Sequence, residues 1–182
     1  MKLKSKFNIQ IAADGSSASG KTTGARLFSK KYGIKFLSSG LLYRYSSYLI
    51  IKNKPSSERI FLEKKFNKFN LSHLKNKNLH TPEISEMSSK IAKKKEIRGI
   101  LKRFQKNFVR RNRKVCIEGR DIGTVIMPNA DIKFFFTCNL NTAAKRRFKD
   151  LKKKNPKIKF AEVKKAMRIR DNLDRSRRIS PL

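Results

Sequence analysis

Apolar residues follow two different periods along this chain, and each period predicts one kind of element. Phe7, Ile9, Ile11 and Ala13 stand at every second position, which is typical of a half-buried strand. Short, mostly apolar runs bounded by polar residues predict further strands. The predicted strands span residues 7–13, 35–37, 115–118 and 131–137.

Helical spacing fills most of the sequence between these strands. Ile97, Ile100, Leu101, Phe104 and Phe108 recur at i, i+3, i+4, i+7 and i+11, so they share one helix face. The predicted helices span residues 22–31, 41–51, 84–109, 141–151 and 160–178, whereas the polar stretch 55–81 predicts a weakly specified insertion. Strands that alternate with helices predict an α/β fold with a mostly parallel sheet and helices on both faces.

Composition adds a strong positive charge to this picture. The 182 residues include 47 Lys and Arg against 13 Asp and Glu, which gives a net charge of +34. The lysines are spread over the whole chain among many Asn, Ile and Phe, which favours a background compositional bias; a true polyanion-binding surface is the alternative. Either origin predicts attraction of phosphorylated small molecules and non-specific RNA binding at low salt.

Length and apolar runs indicate a single cytoplasmic domain. A chain of 182 residues suits one domain with a real core. No apolar run reaches the ~18 residues of a membrane-spanning helix, and no secretory signal precedes the first predicted strand. Cys116 and Cys138 lie in apolar runs without metal-ligand neighbours, so reduced thiols are expected.

The first predicted strand leads directly into a glycine-rich loop. Residues 15–22 fit the pattern G-x-x-x-x-G-K-T at every fixed position. Backbone N–H groups of such a loop wrap a phosphate, and the N-terminus of the following helix adds a favourable dipole. Lys21 would reach the β- and γ-phosphates of a nucleotide, and the Thr22 hydroxyl would hold Mg²⁺. An ordinary Ser/Gly-rich turn is the alternative, although both flanking elements match a phosphate loop.

A second polar segment, residues 38–44, follows the second predicted strand. Ligands bind at the carboxyl ends of strands in open α/β sheets. Here Ser39, Tyr43 and Arg44 bring a hydroxyl, a phenol and a guanidinium together, and Arg44 can clamp a phosphate with two hydrogen bonds. A solvated arginine on a surface helix is the alternative.

A third polar segment, residues 118–124, follows the third predicted strand. Glu118 can orient a water bound to Mg²⁺, as an acidic residue at a neighbouring strand end does in other phosphate-loop enzymes. Gly119 and Gly123 permit sharp turns that would expose Arg120 and Asp121. A turn with a local Arg–Asp pair is the alternative.

A fourth polar segment lies on the last predicted helix. Arg170, Asp174 and Arg177 stand at i, i+4 and i+7 and therefore share one face. Two arginines beside a carboxylate can bind phosphates while the carboxylate holds a base or a sugar. A surface ladder of ion pairs is the alternative.

Taken in this order, the four segments resemble the bacterial cytidylate kinases, which phosphorylate CMP and dCMP with ATP. The resemblance covers essentially the whole chain. Its most specific part is residues 117–131, which read Ile-Glu-Gly-Arg-Asp-Ile-Gly-Thr-Val-Ile-Met-Pro-Asn-Ala-Asp. The pairs Asp14-Gly15, Ser39-Gly40 and Tyr43-Arg44, together with residues 81–84 and 177–182, agree with it.

The resemblance implies an ATP site, a CMP site and a lid. The implied ATP-binding residues are Gly15, Ser16, Ser17, Ala18, Ser19, Gly20, Lys21, Thr22, Thr23 and Arg146. The implied CMP-binding residues are Ser39, Tyr43, Arg44, Ser89, Arg98, Arg120, Asp121, Arg170, Asp174 and Arg177, with Asp121 and Asp174 reading the cytosine and the sugar. The implied catalytic residues are Lys21, Arg120, Asp121, Arg170 and Arg177. Thr22 would hold Mg²⁺ directly and Glu118 would hold it through a water.

The implied organisation is one phosphate-loop kinase domain over residues 1–182, and a monomer is expected. Its core would comprise residues 1–54 and 112–182, with a nucleoside-monophosphate-binding insertion at about 55–111 and a lid at about 150–160. Arg147 and the loop 152–159 would join Arg146 in the lid.

Two departures from the family pattern carry expectations of their own. The stretch between Arg44 and Thr81 looks shorter than the family's insertion, and residues 66–80 hold too few apolar side chains for the small sheet found there, so closure over CMP would be loose. The chain also ends at Leu182, where the family continues with a strand and a helix, which would leave residues 131–137 as an unpaired edge and put full activity in question.

Two other functions stay open at this point. One is a shortened, inactive relative that binds nucleotides or RNA, which the ending at Leu182 and the charge of +34 favour. The other is a different phosphate-loop kinase of small molecules, against which residues 118–131 argue.

Overall fold

A computed structural model describes residues 7–75, 77–153, 155–176, 178 and 180–182. Within them the strands are β1 (Ile9–Gly15), β2 (Lys35–Ser38), β3 (Lys114–Glu118) and β4 (Ile132–Phe136). The α-helices there are α1 (Lys21–Tyr32), α2 (Ser39–Asn53), α3 (Glu58–Asn67), α4 (Pro82–Ile91), α5 (Lys95–Arg110), α6 (Leu140–Lys152) and α7 (Phe160–Ser176). All four predicted strands are confirmed.

The four strands form one sheet with the order β2-β3-β1-β4. The central strand β1 pairs in parallel with β3 on one side and with β4 on the other, so that Ile11 lies opposite both Cys116 and Ile132. Helices flank the sheet, and the predicted α/β fold of the phosphate-loop type is confirmed. Parallel pairing places the carboxyl ends of β1 and β3, where the phosphate loop and residues 118–124 begin, at the same edge.

The core lies around β1, whose side chains are buried on both faces of the sheet. Ile11, Ala12 and Ala13 are at most 1% exposed. Ala25 of α1 and Cys116 of β3 pack into the same apolar cluster. Helix α1 ends at Gly33, whose left-handed backbone (φ 68°) suits a residue without a side chain. The phosphate loop therefore connects two well-packed elements.

Strand β4 lies at the edge of the described sheet. It pairs with β1 along one side and is last in the strand order. Phe134 and Phe135 are 42% and 59% exposed. The expectation of an exposed edge at residues 131–137 is confirmed for the described part of the chain.

The chain forms two compact units. One comprises Met1–Leu37 and Arg113–Leu182, and the other comprises Ser38–Asn112. The predicted core, insertion and lid, with their boundaries near residues 55, 111, 150 and 160, stay predictions.

The prediction of one helix over residues 84–109 is wrong, because a turn separates α4 from α5. The amides of Lys93 and Lys94 bond to carbonyls three residues back. Ile84, Ser88 and Ile91 form the buried stripe of α4, which a continuous helix would extend to Lys95. In the structure Lys95 is exposed and Ile97 is buried instead. The turn resets the phase so that both helices bury an apolar face.

The stretch 55–81 is more ordered than predicted. It contains α3, which buries Leu62 and Phe66, and two 3₁₀ turns at Leu71–Lys75 and Lys77–His80. Its aromatic side chains form a cluster with residues of α2 and α5, in which Phe69 lies 5.3 Å from Tyr45 and 5.0 Å from Phe104 between ring centroids. The family's small sheet was not expected in this stretch, and the described residues there form the aromatic cluster instead. Among the described residues, no helix is both long and apolar enough to cross a membrane.

Candidate active site

The loop between β1 and α1 has the backbone of an anion-binding loop. Gly15, Ala18 and Gly20 have positive φ angles of 148°, 53° and 94°. Gly20 begins α1, and no side chain of the described residues caps that helix end. The first N–H groups of α1 are therefore directed at the loop interior, where a phosphate would accept them. The alternative of an ordinary Ser/Gly-rich turn accounts for neither feature.

Lys21 lies in the first turn of α1, and its ammonium is folded back over the loop. Its Nζ donates to the carbonyl oxygen of Ser16 at 2.9 Å. Burial is the main reason that the pKa of Lys21 is lowered to about 8; the positive charges of Arg120 and Arg170 act in the same direction, while the charges of Glu118 and Asp171 oppose the shift. A buried cation that is costly to keep charged is one that a bound phosphate would stabilise.

Arg120 joins the phosphate loop to α7. Its Nη2 donates to Ser17 Oγ at 2.7 Å, and its Nη1 lies 3.0 Å from both Asp171 Oδ1 and Asp174 Oδ2. Asp171 Oδ1 also accepts the backbone N–H of Ser17 at 3.1 Å. These side chains are only 14–16% exposed. The network is thus a partly buried charge cluster, in which each contact is stronger than in water.

Arg170 belongs to the same charge cluster. Its Nε lies 4.0 Å from Asp174 Oδ2, and burial lowers its pKa, with the neighbouring charge of Arg120 as the next cause. Asp174 lies closer to Arg120, which is not part of α7, than to Arg170 on its own helix. The alternative of a surface ladder of ion pairs along α7 is therefore not what the structure shows.

Asp14 anchors the segment that carries Arg120 and Asp121. Its two carboxylate oxygens accept the N–H groups of Ile122 and Gly123 at 2.9 and 2.7 Å. Burial raises the pKa of Asp14, and these two hydrogen bonds oppose the shift. The segment Ile122–Ile126 forms a π-helical turn instead of the predicted simple turn, which is a common feature of functional sites.

Two further predicted residues lie close to the loop. Glu118 ends β3, is 3% exposed, and its charge acts on Lys21. The guanidinium of Arg146 on α6 lies beside Gly20, since a methyl group placed on that glycine would be 3.8 Å from Arg146 Nη1. The expectation that Asp121 would be exposed by the glycine turns is wrong, because Asp121 is buried, at 6% exposure. The structure therefore brings Arg146 to the phosphate loop, as a lid residue would require.

The unit Ser38–Asn112 holds five further predicted CMP-binding residues, which are Ser39, Tyr43, Arg44, Ser89 and Arg98. Arg44 on α2 donates from Nη1 to the carbonyl oxygen of Leu79 at 3.0 Å and to Ser85 Oγ at 2.8 Å. The second bond orients the guanidinium, while Ser89 Oγ donates to the Ser85 carbonyl at 3.3 Å. The alternative of a simply solvated arginine is therefore wrong for Arg44.

Arg98 of α5 lies near Tyr43 of α2. The guanidinium carbon is 6.0 Å from the Tyr43 ring centroid, and Arg98 is only 8% exposed. Its Nη1 donates to the Ala92 carbonyl at 3.4 Å. Ser39 is buried in the first turn of α2. Within this unit the structure thus assembles two arginines, hydroxyl groups and a phenol, which suit an anionic ligand.

One predicted residue lies outside the described residues, and three contributors were not predicted. Arg177 is the residue outside them. Asp171 and Ser85 are not predicted, because the i, i+4, i+7 spacing on α7 selects Arg170, Asp174 and Arg177, and the family motifs do not include Ser85. Asp171 lies three residues before Asp174, a spacing that also shares a helix face. Asp14 belongs to a family motif, which by itself does not reveal its hydrogen bonds to the segment 122–123.

The residues predicted for Mg²⁺ have suitable chemistry. Mg²⁺ prefers hard oxygen ligands and usually reaches a protein together with phosphate groups. The Thr22 hydroxyl at the start of α1 and the buried Glu118 carboxylate at the end of β3 supply such donors. Within the described residues, no group of three or more His, Cys, Asp or Glu side chains could hold a metal.

Comparison with known proteins agrees with this geometry. The family model described as cytidylate kinase matches residues 11–182. The cytidylate kinase of Thermosipho melanesiensis is 36% identical over 95% of this chain and 83% of its own length. Those of Fervidobacterium nodosum (36%, covering 97% and 84%) and Rickettsia akari (35%, covering 96% and 80%) are similar to the same extent. The chain therefore belongs to the cytidylate kinase family.

Proposed function

We propose that this protein transfers the γ-phosphoryl group of ATP to the 5′-phosphate of CMP or dCMP, giving CDP or dCDP. The observation that carries the proposal is the position of Arg120. It lies in the family's most specific segment, contacts Ser17 of the phosphate loop and pairs with two carboxylates of α7. A guanidinium held beside the loop is suited to stabilise a phosphoryl group in transfer.

The reaction needs positioning and charge neutralisation more than covalent chemistry. The attacking oxygen of a nucleoside monophosphate is already anionic, so neither a strong base nor a covalent intermediate is required. Residues 15–23 and Arg146 would bind the triphosphate, while Lys21, Arg120 and Arg170 would neutralise charge that develops in the transition state. Asp121 and the proposed catalytic residue Arg177 complete the set. Thr22 would hold Mg²⁺ directly and Glu118 would hold it through a water, and the ion would supply further positive charge beside the ATP phosphates.

The family resemblance implies the residues that would recognise the monophosphate. Arg44, Arg98, Ser39, Tyr43 and Ser89 would bind phosphate and base groups from their unit. Asp121 would read the cytosine and Asp174 the sugar, as the family resemblance implies. A lid formed by residues about 150–160 with Arg146 and Arg147 would exclude water, which would otherwise hydrolyse ATP.

A coupled assay of ADP release tests the proposal directly. Purified protein is given ATP, Mg²⁺ and each of CMP, dCMP, UMP and AMP in turn. We expect turnover with CMP and dCMP and slower turnover with UMP. Equal rates with AMP and CMP would refute the specificity, and ADP release that does not depend on any monophosphate would leave only a nucleotide-binding or ATP-hydrolysing protein.

The pH dependence of this reaction is predicted by the pKa of Lys21. Since that pKa is about 8, kcat/KM for ATP should fall above about pH 8, by up to about tenfold per pH unit. Bound phosphates stabilise the ammonium, so kcat should fall only at higher pH. Because the folded pKa lies below the ordinary value of 10.5, the ligand-free protein should also gain stability as pH rises between the two.

The Lys21→Arg variant is the control for this profile. Its guanidinium keeps its charge at high pH, so any residual kcat/KM should show no such fall. A wild-type profile that is flat from about pH 7 to pH 10 would contradict the assignment of Lys21 as the phosphate-binding cation.

The proposal also covers the protein's location, its oligomeric state and its binding of RNA. We expect a cytoplasmic monomer with reduced cysteines, and Cys116 and Cys138 are both free thiols. The charge of +34 should cause weak RNA binding that disappears as salt is raised. No contact in the described residues favours an inactive relative or a different small-molecule kinase.

A further inference from the structure

The guanidinium of Arg120 is held at two of its nitrogens by different parts of the molecule. Its Nη1 lies 3.0 Å from Asp171 Oδ1 and 3.0 Å from Asp174 Oδ2, both on α7. Its Nη2 donates to Ser17 Oγ of the phosphate loop at 2.7 Å. Because both carboxylates meet the same nitrogen, they fix one end of the guanidinium, whereas the hydroxyl fixes the other. The contact with Ser17 therefore sets the direction of the guanidinium relative to the loop.

Ser17 is itself held in place through its backbone. Its N–H donates to Asp171 Oδ1 at 3.1 Å, and the same oxygen accepts from Arg120 Nη1 at 3.0 Å. Ser17, Arg120 and Asp171 thus form a closed ring of hydrogen bonds. A hydrogen bond from a guanidinium is stronger than one between neutral groups, and low exposure strengthens it further; here the Arg120 side chain is only 14% exposed. The Ser17 hydroxyl is therefore well suited to hold Arg120 in one orientation.

We propose that the side chain of Ser17 is a positioning group for Arg120, which sets the orientation in which this guanidinium meets the transferring phosphoryl group. This inference rests on the proposed function, in which Arg120 neutralises charge in the transition state. The family resemblance places Ser17 among the ATP-binding residues. Its backbone belongs to that loop, but its hydroxyl acts on the reaction through Arg120. Loss of the hydroxyl should slow the transfer step and leave the binding of both substrates nearly unchanged.

The Ser17→Ala variant tests this role, because alanine keeps the N–H that bonds Asp171 and removes only the hydroxyl. Single-turnover kinetics with ATP, Mg²⁺ and CMP measure the transfer rate, and steady-state kinetics give both KM values. We expect the transfer rate to fall about tenfold, with both KM values within about twofold of the wild type. Thermal unfolding with and without ADP shows that the variant is folded and binds nucleotide. Ser56→Ala, at an exposed serine between α2 and α3, is the matched control and should keep wild-type kinetics.

A double-mutant cycle with Arg120 distinguishes this role from a direct contact between the Ser17 hydroxyl and ATP. In the Arg120→Ala background, Ser17→Ala should change the transfer rate by less than about twofold, because no guanidinium remains to be oriented. A hydroxyl that binds ATP itself would raise KM for ATP by the same factor in both backgrounds. Ser17→Thr keeps a hydroxyl and should transfer within about threefold of the wild-type rate.

The outcomes separate the inference from the proposed function. If the wild type phosphorylates CMP while Ser17→Ala transfers at the wild-type rate, or has a higher KM for ATP at an unchanged rate, the positioning role is refuted and the function stands. An equal loss of rate in both Arg120 backgrounds, or a rate of Ser17→Thr as low as that of Ser17→Ala, refutes the role as well. A wild type that does not phosphorylate CMP refutes the function, and the inference with it.

Discussion

Replacing Lys21 with alanine is expected to lower kcat for CMP phosphorylation by about 10²–10³-fold while the protein stays folded. The ammonium lies over the phosphate loop, 2.9 Å from the Ser16 carbonyl oxygen, where it could meet the transferring phosphoryl group. Its removal loses one hydrogen bond, worth ~1 kcal/mol, but also relieves a charge whose burial lowers its pKa. The two effects on stability oppose each other.

The measurement pairs steady-state kinetics with thermal unfolding. Lys30→Ala serves as the control, since Lys30 is an exposed lysine in the last turn of the same helix. We expect wild-type kinetics from the control and a melting temperature close to that of the wild type from both variants. Wild-type turnover by Lys21→Ala would show that the loop is not the ATP site.

Strands and the phosphate loop could be predicted from the sequence because local pattern determines them. The alternation of Phe7, Ile9, Ile11 and Ala13 predicted the strand that becomes β1, and the glycines of the loop are required by positive φ at Gly15 and Gly20. Caps at helix starts are equally local, as in Thr81, whose Oγ1 accepts the Ile84 N–H at the beginning of α4.

What escaped prediction depends on contacts between distant residues. The turn between α4 and α5 exists because Ile91 and Ile97 must both be buried, which the run of apolar residues alone did not reveal. The aromatic cluster consists of Tyr45, Phe66, Phe69 and Phe104, which come from separate parts of the chain. No local periodicity in the sequence therefore predicts it.

The same distinction holds at the site. The roles of individual residues were taken from motifs, and they remain predictions. The pairing of Arg120 with Asp171 joins residues 51 positions apart, and the bond from Asp14 to Gly123 spans 109. A sequence pattern can nominate such side chains as polar groups near strand ends, but only the fold selects which of them meet.

Gly15→Ala is expected to cause the largest loss of stability of any single methyl group added to this site. Gly15 has a φ of +148°, which side-chain-bearing residues rarely adopt. An added Cβ would also overlap the backbone carbonyl oxygen of Phe136 on β4. Because Phe136 is paired with Gly15 in the sheet, relief requires β4 to move away from β1. We expect a loss of more than about 3 kcal/mol and of nucleotide binding at the displaced loop.

Gly99→Ala is the matched control, and it should change stability in the opposite direction. Gly99 is an exposed position within α5, and a Cβ there would meet no atom within 4 Å. Alanine is favoured over glycine in a helix interior by roughly 0.5–1 kcal/mol, so this variant should melt at a slightly higher temperature than the wild type.

Thermal unfolding of both variants, with and without ADP, provides the comparison. For a chain of this size, 3 kcal/mol corresponds to a fall of about 10 °C for Gly15→Ala, and ADP should no longer raise its melting temperature. If Gly15→Ala instead had the melting temperature of the wild type and was still stabilised by ADP, the result would refute the close approach of β1 and β4 at the loop entrance.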